Sequence, residues 1–233
     1  MSSIAIITAR GGSKRILKKN IRDFCGKPII SYSIKAAINS NVFDEVMVST
    51  DDEAIASISK EYGAKVPFMR SKKNSDDFAT TSDVLIEVLS EYQKIGINIE
   101  HFCCIYPTAP LISEDDISQA MSLLISSGAD SVIPVVKFSF PPQRGVFIRD
   151  GKLTAVDPLQ HKKRSQDLEP IFHDCGLFYC VSYEPFLHEK KLITTNTIPF
   201  LMDEGKVQDI DTLEDWKIAE MKYKILRIKN ESF

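Results

Sequence analysis

A chain of 233 residues, 43% of them hydrophobic, holds enough apolar material for one domain with a substantial core. Its 29 basic and 32 acidic residues leave a net charge of −3, which supplies no global positive field for nucleic acid, so any polyanion site must be local. The start, MSSIAIITAR, reads as a strand rather than a leader, and no apolar run reaches the roughly 18 residues of a membrane span. The composition therefore predicts a soluble, cytoplasmic protein with neither nucleic acid nor membrane as partner.

In chain order, the apolar run IAIIT predicts a strand over 4–8, followed by a strongly basic loop. A proline at its first turn opens a helix over 28–40, and EVMVST gives a strand over 45–50. The segment 51–63 begins with acids and stops at a glycine, as helix termini prefer. A short strand is expected over 65–70, a helix over 81–95, a strand ending at Pro107, and a serine-capped helix over 113–128. Alternation of this kind with near-continuous apolar strands indicates a parallel sheet covered on both faces.

From about residue 130 the pattern changes. SVIPVVKF, GVFIR and KLTAV read as short antiparallel strands, the last two joined by Asp150-Gly151, and 137–180 reads as an insertion that leaves and rejoins the sheet. The tail from Ile210 predicts one long helix. The five cysteines are odd in number, two are adjacent, and none form a C-x-x-C pair, which argues against a disulfide framework or a zinc site. Cys103 and Cys104 read as small core residues, and nothing near Cys175 would activate a thiolate.

Two features carry chemistry. Between positions 10 and 22 stand six basic residues (Arg10, Lys14, Arg15, Lys18, Lys19 and Arg22) with no acid among them. Gly11 and Gly12 let the backbone approach an anion, at the carboxyl end of the first strand where open α/β sheets bind ligands. The G-K-[ST] of an ATPase loop and the G-x-G-x-x-G of a dinucleotide fold are both missing, which favours triphosphate binding by a transferase over a solvated basic loop. In VQDIDTLEDW, an extended chain points Asp209 and Asp211 to one side while Ile210 packs inward; hard oxygen ligands of this kind suit Mg²⁺ held against a triphosphate. Capping of the last helix by Asp211, with Glu214 three residues on, explains Asp211 equally well but leaves Asp209 unexplained. Asp51 and Asp52 read as plain helix N-terminal acids.

The run IxARGGSKRIxxKN resembles the N-terminal signature of the CMP-sugar cytidylyltransferases that handle sialic acid and its relatives, and the likeness continues through STDDxxIA at 49–56 and D-I-D-T at 209–212. The resemblance implies a Rossmann-like three-layer α/β/α sandwich with a mostly parallel sheet and a small inserted dimerisation segment at about 137–180, hence a homodimer. It also implies CTP and an acidic nine-carbon sugar as substrates, with Mg²⁺ held by Asp209 and Asp211. Arg10 and Lys19 match phosphate-binding positions, Lys14 lies in the loop, Asn20 stands beside the nucleotide, and the backbone of Gly12 and Ser13 lines the triphosphate, although Ser13 reads equally well as a helix cap. FMR at 68–70 and DDFATTSDV resemble the stretch that contacts base and ribose, giving Arg70 and Thr81 nucleotide roles.

On the acceptor side, KKRSQDLEPIFHDCGLFYC resembles the family's sugar-binding signature. Arg164 and Gln166 would engage the sugar carboxylate and hydroxyls, and Phe178 and Tyr179 would wall the pocket; His173 reads as an ordinary satisfied histidine. Two positions depart from the sialic acid pattern: Asp174 replaces an asparagine, and Tyr106 in YPTAP replaces a glutamine. Together with RSQDLE and DDFATT they resemble the pseudaminic acid branch, associated with flagellin glycosylation. The implied reaction is in-line attack of the sugar C2 hydroxyl on the α-phosphorus of CTP. Arg10 and Lys19 would offset phosphate charge, and Asp211 would orient or deprotonate the nucleophile. Legionaminic and N-acetylneuraminic acid are the alternative sugars. An inactive nucleotide-binding regulator on the same fold is the rival of another class, against which Arg10, Lys19, Asp209 and Asp211 argue.

Overall fold

The computed structural model describes residues 2–231, with side chains to residue 228. Its elements in order are β1 (Ser3–Thr8), the two-residue pair β2 (Asp23–Phe24) and β3 (Lys27–Pro28), α1 (Ile30–Asn39), β4 (Glu45–Ser49), α2 (Glu53–Glu61), α3 (Thr81–Lys94) and β5 (His101–Ile105). There follow α4 (Glu114–Ser127), β6 (Ser131–Lys137), β7 (Val146–Arg149), β8 (Lys152–Ala155), α5 (Pro158–His161), β9 (Phe172–Asp174), β10 (Phe178–Ser182), α6 (Tyr183–Glu189), β11 (Thr197–Leu201) and α7 (Leu213–Glu231).

The main sheet has the order β11-β6-β10-β5-β1-β4, with β9 beside β6. β1 runs parallel to β4 and β5, β11 runs parallel to β6, and β10 is antiparallel to both β5 and β6. Five strands therefore share one direction, and β9 and β10 oppose them. Side-chain alternation splits the core into two layers. Ala5, Ile7, Val48 and Cys103 pack on α1, α2 and α4, whereas Ile4, Ile6, Met47 and Cys104 pack on α3 and α6. The helices start where their caps are: Thr80 with Asp83 and Ser113 with Asp116 form reciprocal capping boxes, and Asp52 accepts from Ala54 and Ile55. Among the described residues no helix is long and apolar enough to cross a membrane.

A third cluster sits outside the layers. Ile16 of the basic loop, Phe24 and Ile29 meet Ile210, Trp216 and Ala219, so α7 clamps the loop and the β2–β3 pair. The Phe24 ring stands edge-on to Trp216 at 5.6 Å.

Two expectations about strands are corrected. Residues 65–70 form no strand: Lys65 makes one isolated bridge to Met47, and Arg70 N–H then reaches Thr50 O at 2.8 Å, so the segment only skirts the sheet edge. SVIPVVK, expected as a short antiparallel strand, is the seven-residue β6 of the main sheet, antiparallel to β10 but parallel to β11 and buried along most of its length. Its near-continuous apolar sequence is what a strand covered on both faces requires. Beyond it, β7 and β8 form a detached antiparallel hairpin, closed by Asp150 and Gly151 with φ of 49° and 72°. The chain returns as β9 and β10, which pair with successive parts of β6 on either side of a break at Cys175–Leu177.

Phe178 opens β10 with no exposure and meets Phe200 at 6.2 Å between ring centroids. Phe178→Ala should therefore cost about 3–5 kcal/mol of stability, read as a lowered denaturant midpoint.

Candidate active site

The basic loop is held open by acids and an amide. Gly11 donates its N–H to Asp51 Oδ1 at 2.9 Å, and a Cβ on Gly11 would lie 2.8 Å from Asp52 Oδ2. Asp52 caps α2, as helix-terminal acids do, whereas Asp51 is spent on the loop. Nothing lies within 4 Å of the Cβ direction of Gly12, whose flank is open. Buried Asn20 donates to the Arg10 carbonyl at 2.9 Å, bracing the loop from inside. Ser13 lines the cavity and caps no helix, since the next helical turn begins only at Lys19.

The loop faces a cavity of about 840 Å³. Arg10, Ser13, Lys14, Lys19 and Asn20 form one wall; Tyr106, His173, Asp174 and Tyr179 form the other, with Asp209 at the edge. A smaller cavity of about 260 Å³, lined by Arg70 and Thr81, shares Thr8, Arg10, Asp77 and Tyr106 with the first. The two are compartments of one cleft at the carboxyl ends of β1 and β5. Arg70 is buried, its guanidinium held by the Ser49 hydroxyl and carbonyl.

Asp77 stands at the junction and was not among the expected site residues. Arg10 Nη1 lies 2.8 Å from its Oδ1 and 3.0 Å from the Asp76 carbonyl, and the Lys14 ammonium meets its other oxygen. Those bonds, Lys14 first and Arg10 second, hold the Asp77 carboxyl below the usual carboxylate range. An acid inside DDFATT is visible in the sequence, but only the fold sets it against cations more than 60 residues earlier.

Asp209 and Asp211 flank Ile210, which is 1% exposed in the third cluster. Asp209 borders the cavity, while Asp211 meets Arg15 at 2.6 Å and Lys19 at 3.7 Å. Lys19 also donates to the Ile210 carbonyl at 2.7 Å, and burial lowers its pKa against the opposing pull of Asp211 and Asp209. The capping of α7 falls to other residues. Thr212 and Asp215 bond reciprocally, with Asp215 accepting from Thr212 N and Oγ1 at 2.7 Å, so neither Asp211 nor Glu214 is needed there. Among the described residues no group of three or more His, Cys, Asp and Glu side chains could enclose a metal. A hard cation on Asp209 and Asp211 would need further oxygens, which a triphosphate and water supply.

On the opposite wall, Asp174 accepts from Tyr179 Oη at 2.7 Å and from Gly176 N at 2.8 Å. Tyr179 meets Tyr106 edge-to-face at 5.7 Å. His173 is satisfied as a histidine, its Nδ1 lying 2.9 Å from the Asp174 carbonyl, yet it also lines the cavity. Burial pushes the Cys175 thiol up to about 12, so it is no thiolate nucleophile.

Three of the expected sugar contacts lie elsewhere. Phe178 points into the core, because neighbours on a strand face opposite sides and Tyr179 takes the cavity side. Arg164 sits in an exposed turn and pairs with its own neighbour Asp167 at 2.7 and 3.0 Å. Gln166 lines a separate cavity of about 220 Å³ beside Phe138 and Ile171.

Residues 4–150 match the family model described as Cytidylyltransferase. The chain is 41% identical over 229 residues to a pseudaminic acid cytidylyltransferase of Campylobacter jejuni subsp. jejuni serotype O:2, covering 97% of each. It is 30% identical to a CMP-N,N'-diacetyllegionaminic acid synthase of Legionella pneumophila, covering all of this chain and 99% of that one. In fold it is similar to a CMP:2-keto-3-deoxy-manno-octonic acid synthetase complexed with CTP, with a TM-score of 0.69 at 16% identity over 97% of this chain and 99% of that one.

The two loop glycines should separate in a simple experiment. Gly11→Ala pushes against Asp52 and should lower the melting temperature by several degrees, whereas Gly12→Ala, facing open space, should leave it within about one degree. Thermal denaturation of both variants checks this.

Proposed function

This chain belongs to the cytidylyltransferase family, and on that premise we propose that it transfers CMP from CTP to the C2 hydroxyl of pseudaminic acid, releasing pyrophosphate. The observation that carries the reading is the two-compartment cleft, in which a cation-rich loop faces a wall built of Tyr106, Asp174 and Tyr179. The smaller compartment takes base and ribose against Arg70 and Thr81. The triphosphate follows Arg10, the open flank of Gly12, Ser13, Lys14, Lys19 and Asn20, replacing Asp77 as the anion on Arg10 and Lys14. Held there by fixed cations, the α-phosphate meets the sugar hydroxyl in a prearranged field, so that positioning and charge lower the barrier. Asp209 and Asp211 fit Mg²⁺, since both carboxylates are free of the helix cap and lie beside the phosphate cations. When bound, the ion neutralises charge on the phosphate oxygens.

Pseudaminic acid differs from sialic acid in a second acylated nitrogen and a methyl end. Asp174 offers only acceptor atoms, which suits a ligand N–H or O–H, and the Tyr106 ring suits the less polar end. The 41% identity over 97% of the chain to the Campylobacter relative supports the same sugar.

Pyrophosphate release from CTP with three sugars tests the reading. Pseudaminic acid should exceed N-acetylneuraminic acid by roughly 10²-fold in kcat/KM, because unpaired buried polar groups penalise the wrong sugar. Equal use would overturn the sugar assignment, preference for legionaminic acid would replace it, and no release with any of them would overturn the transfer. Chelation should abolish turnover and Mg²⁺ restore it. Asp209→Ala should lose turnover while unfolding stays cooperative.

The chain also acts as a homodimer in this reading. A two-stranded hairpin is marginal alone, and β7–β8 presents Phe147, Ile148 and Leu153 outward, Ile148 at 77% exposure. A second copy is the economical cover. Light scattering at micromolar concentration should give twice the 26.2 kDa chain mass, and Ile148→Asp should shift it toward the single-chain value.

A further inference from the structure

Asp174 is held from two directions, and the way it is held decides what it can recognise. Its Oδ1 accepts the Gly176 N–H at 2.8 Å, donated from the break between β9 and β10, where Gly176 has φ of 60°. Its Oδ2 accepts the Tyr179 hydroxyl at 2.7 Å, donated from the second residue of β10 beyond that break. Rotation of the carboxylate would break one bond or the other, so the lone pairs left over are fixed in direction, on a residue that lines the larger cavity.

Tyr179 is itself fixed. It is 5% exposed, and its ring stands edge-on to Tyr106, whose hydroxyl lies 3.2 Å from Thr81 Oγ1 at the start of α3. A phenol has a single hydrogen, and here it goes to Asp174. Burial first, then Tyr106 and Asp174, raise the Tyr179 pKa well above the ordinary tyrosine value, so the donor stays protonated at every working pH.

We propose that Tyr179 is a positioning residue that sets sugar choice through Asp174: its hydroxyl locks the carboxylate so that the cavity presents a directed acceptor. The substrate class selected is a sugar bearing an N–H or O–H donor at that point, and a sugar offering an acceptor there is rejected. This deepens the transferase reading above and rests on it. A tyrosine that merely filled the core would act through its ring, which Tyr179→Phe retains.

The test measures kcat and KM for pseudaminic and N-acetylneuraminic acid with four proteins: wild type, Tyr179→Phe, Asp174→Asn and the double variant. Tyr179→Phe should cut the ratio of kcat/KM between the two sugars at least about 10-fold, mainly through KM for pseudaminic acid, with KM for CTP changed less than about 2-fold. Because Tyr179 acts through Asp174, adding Tyr179→Phe to Asp174→Asn should change the ratio by less than about 2-fold, a strongly non-additive cycle. An unchanged ratio in Tyr179→Phe overturns the proposal and leaves the transferase reading standing, as does full additivity in the double variant. Asp174→Ala, which leaves the Tyr179 ring in place, must also lose the preference; if it keeps it, the proposal falls even where Tyr179→Phe fails to fold. Equal use of the two sugars by the wild type, or turnover of neither, overturns the underlying reading and the proposal together.

Discussion

Ile210 is buried among Ile16, Phe24, Ile29 and Trp216, and the carbonyl it presents accepts the Lys19 ammonium at 2.7 Å. That contact joins two segments 191 residues apart, the basic loop after β1 and the acidic segment before α7. A loop with six cations repels itself, and little in its own sequence would give it one shape. Ile16 supplies an apolar anchor and Ile210 the surface it sits on. Because Ile210 faces inward, its neighbours Asp209 and Asp211 must face outward beside the loop. The geometry of the cation wall and of the carboxylate pair therefore follows from the burial of one isoleucine.

The charges around this anchor are balanced locally. Asp51 holds the Gly11 amide, Asp77 faces Arg10 and Lys14, and Asp211 lies between Arg15 and Lys19. These pairs are partly exposed, so each contributes modestly to stability. Their larger effect is on arrangement. They hold the cations in a row along the cleft, at positions an anionic ligand of higher charge would compete for.

The opposite wall depends on a defect in the sheet. β9 and β10 would be one strand along β6, but the chain breaks at Cys175–Leu177 and turns Asp174 and Gly176 toward the cavity. Past the break, alternation resumes and divides two adjacent aromatics, Phe178 into the core and Tyr179 into the cleft. Both rings are buried, on opposite faces of the sheet, and Tyr179 also brings a hydroxyl to the cavity lining.

Much of this was legible from the chain alone. Ile4 and Ile6 alternate with Ala5 and Ile7, which sets two core layers. Ser113 marks a helix start, and Asp209-Ile210-Asp211 announces an outward acid pair around an inward apolar residue. These signals act within a few residues, where backbone geometry alone relates one side chain to the next. Other features needed the folded chain. Sequence spacing cannot tell that β6 lies in the sheet interior, since pairing partners are chosen over long separations. Nor can it tell which of Phe178 and Tyr179 lines the cleft, because alternation fixes their opposition and not its sense. The family resemblance matched Arg164 to a sugar contact, whereas in the fold that guanidinium meets Asp167 three residues on. It left Asp77 unmarked, because only the approach of the α2–α3 connection to the β1 loop sets that acid against Arg10 and Lys14. Local periodicity determined the elements and the acid pair; contacts between distant segments decided which side chains share the cleft.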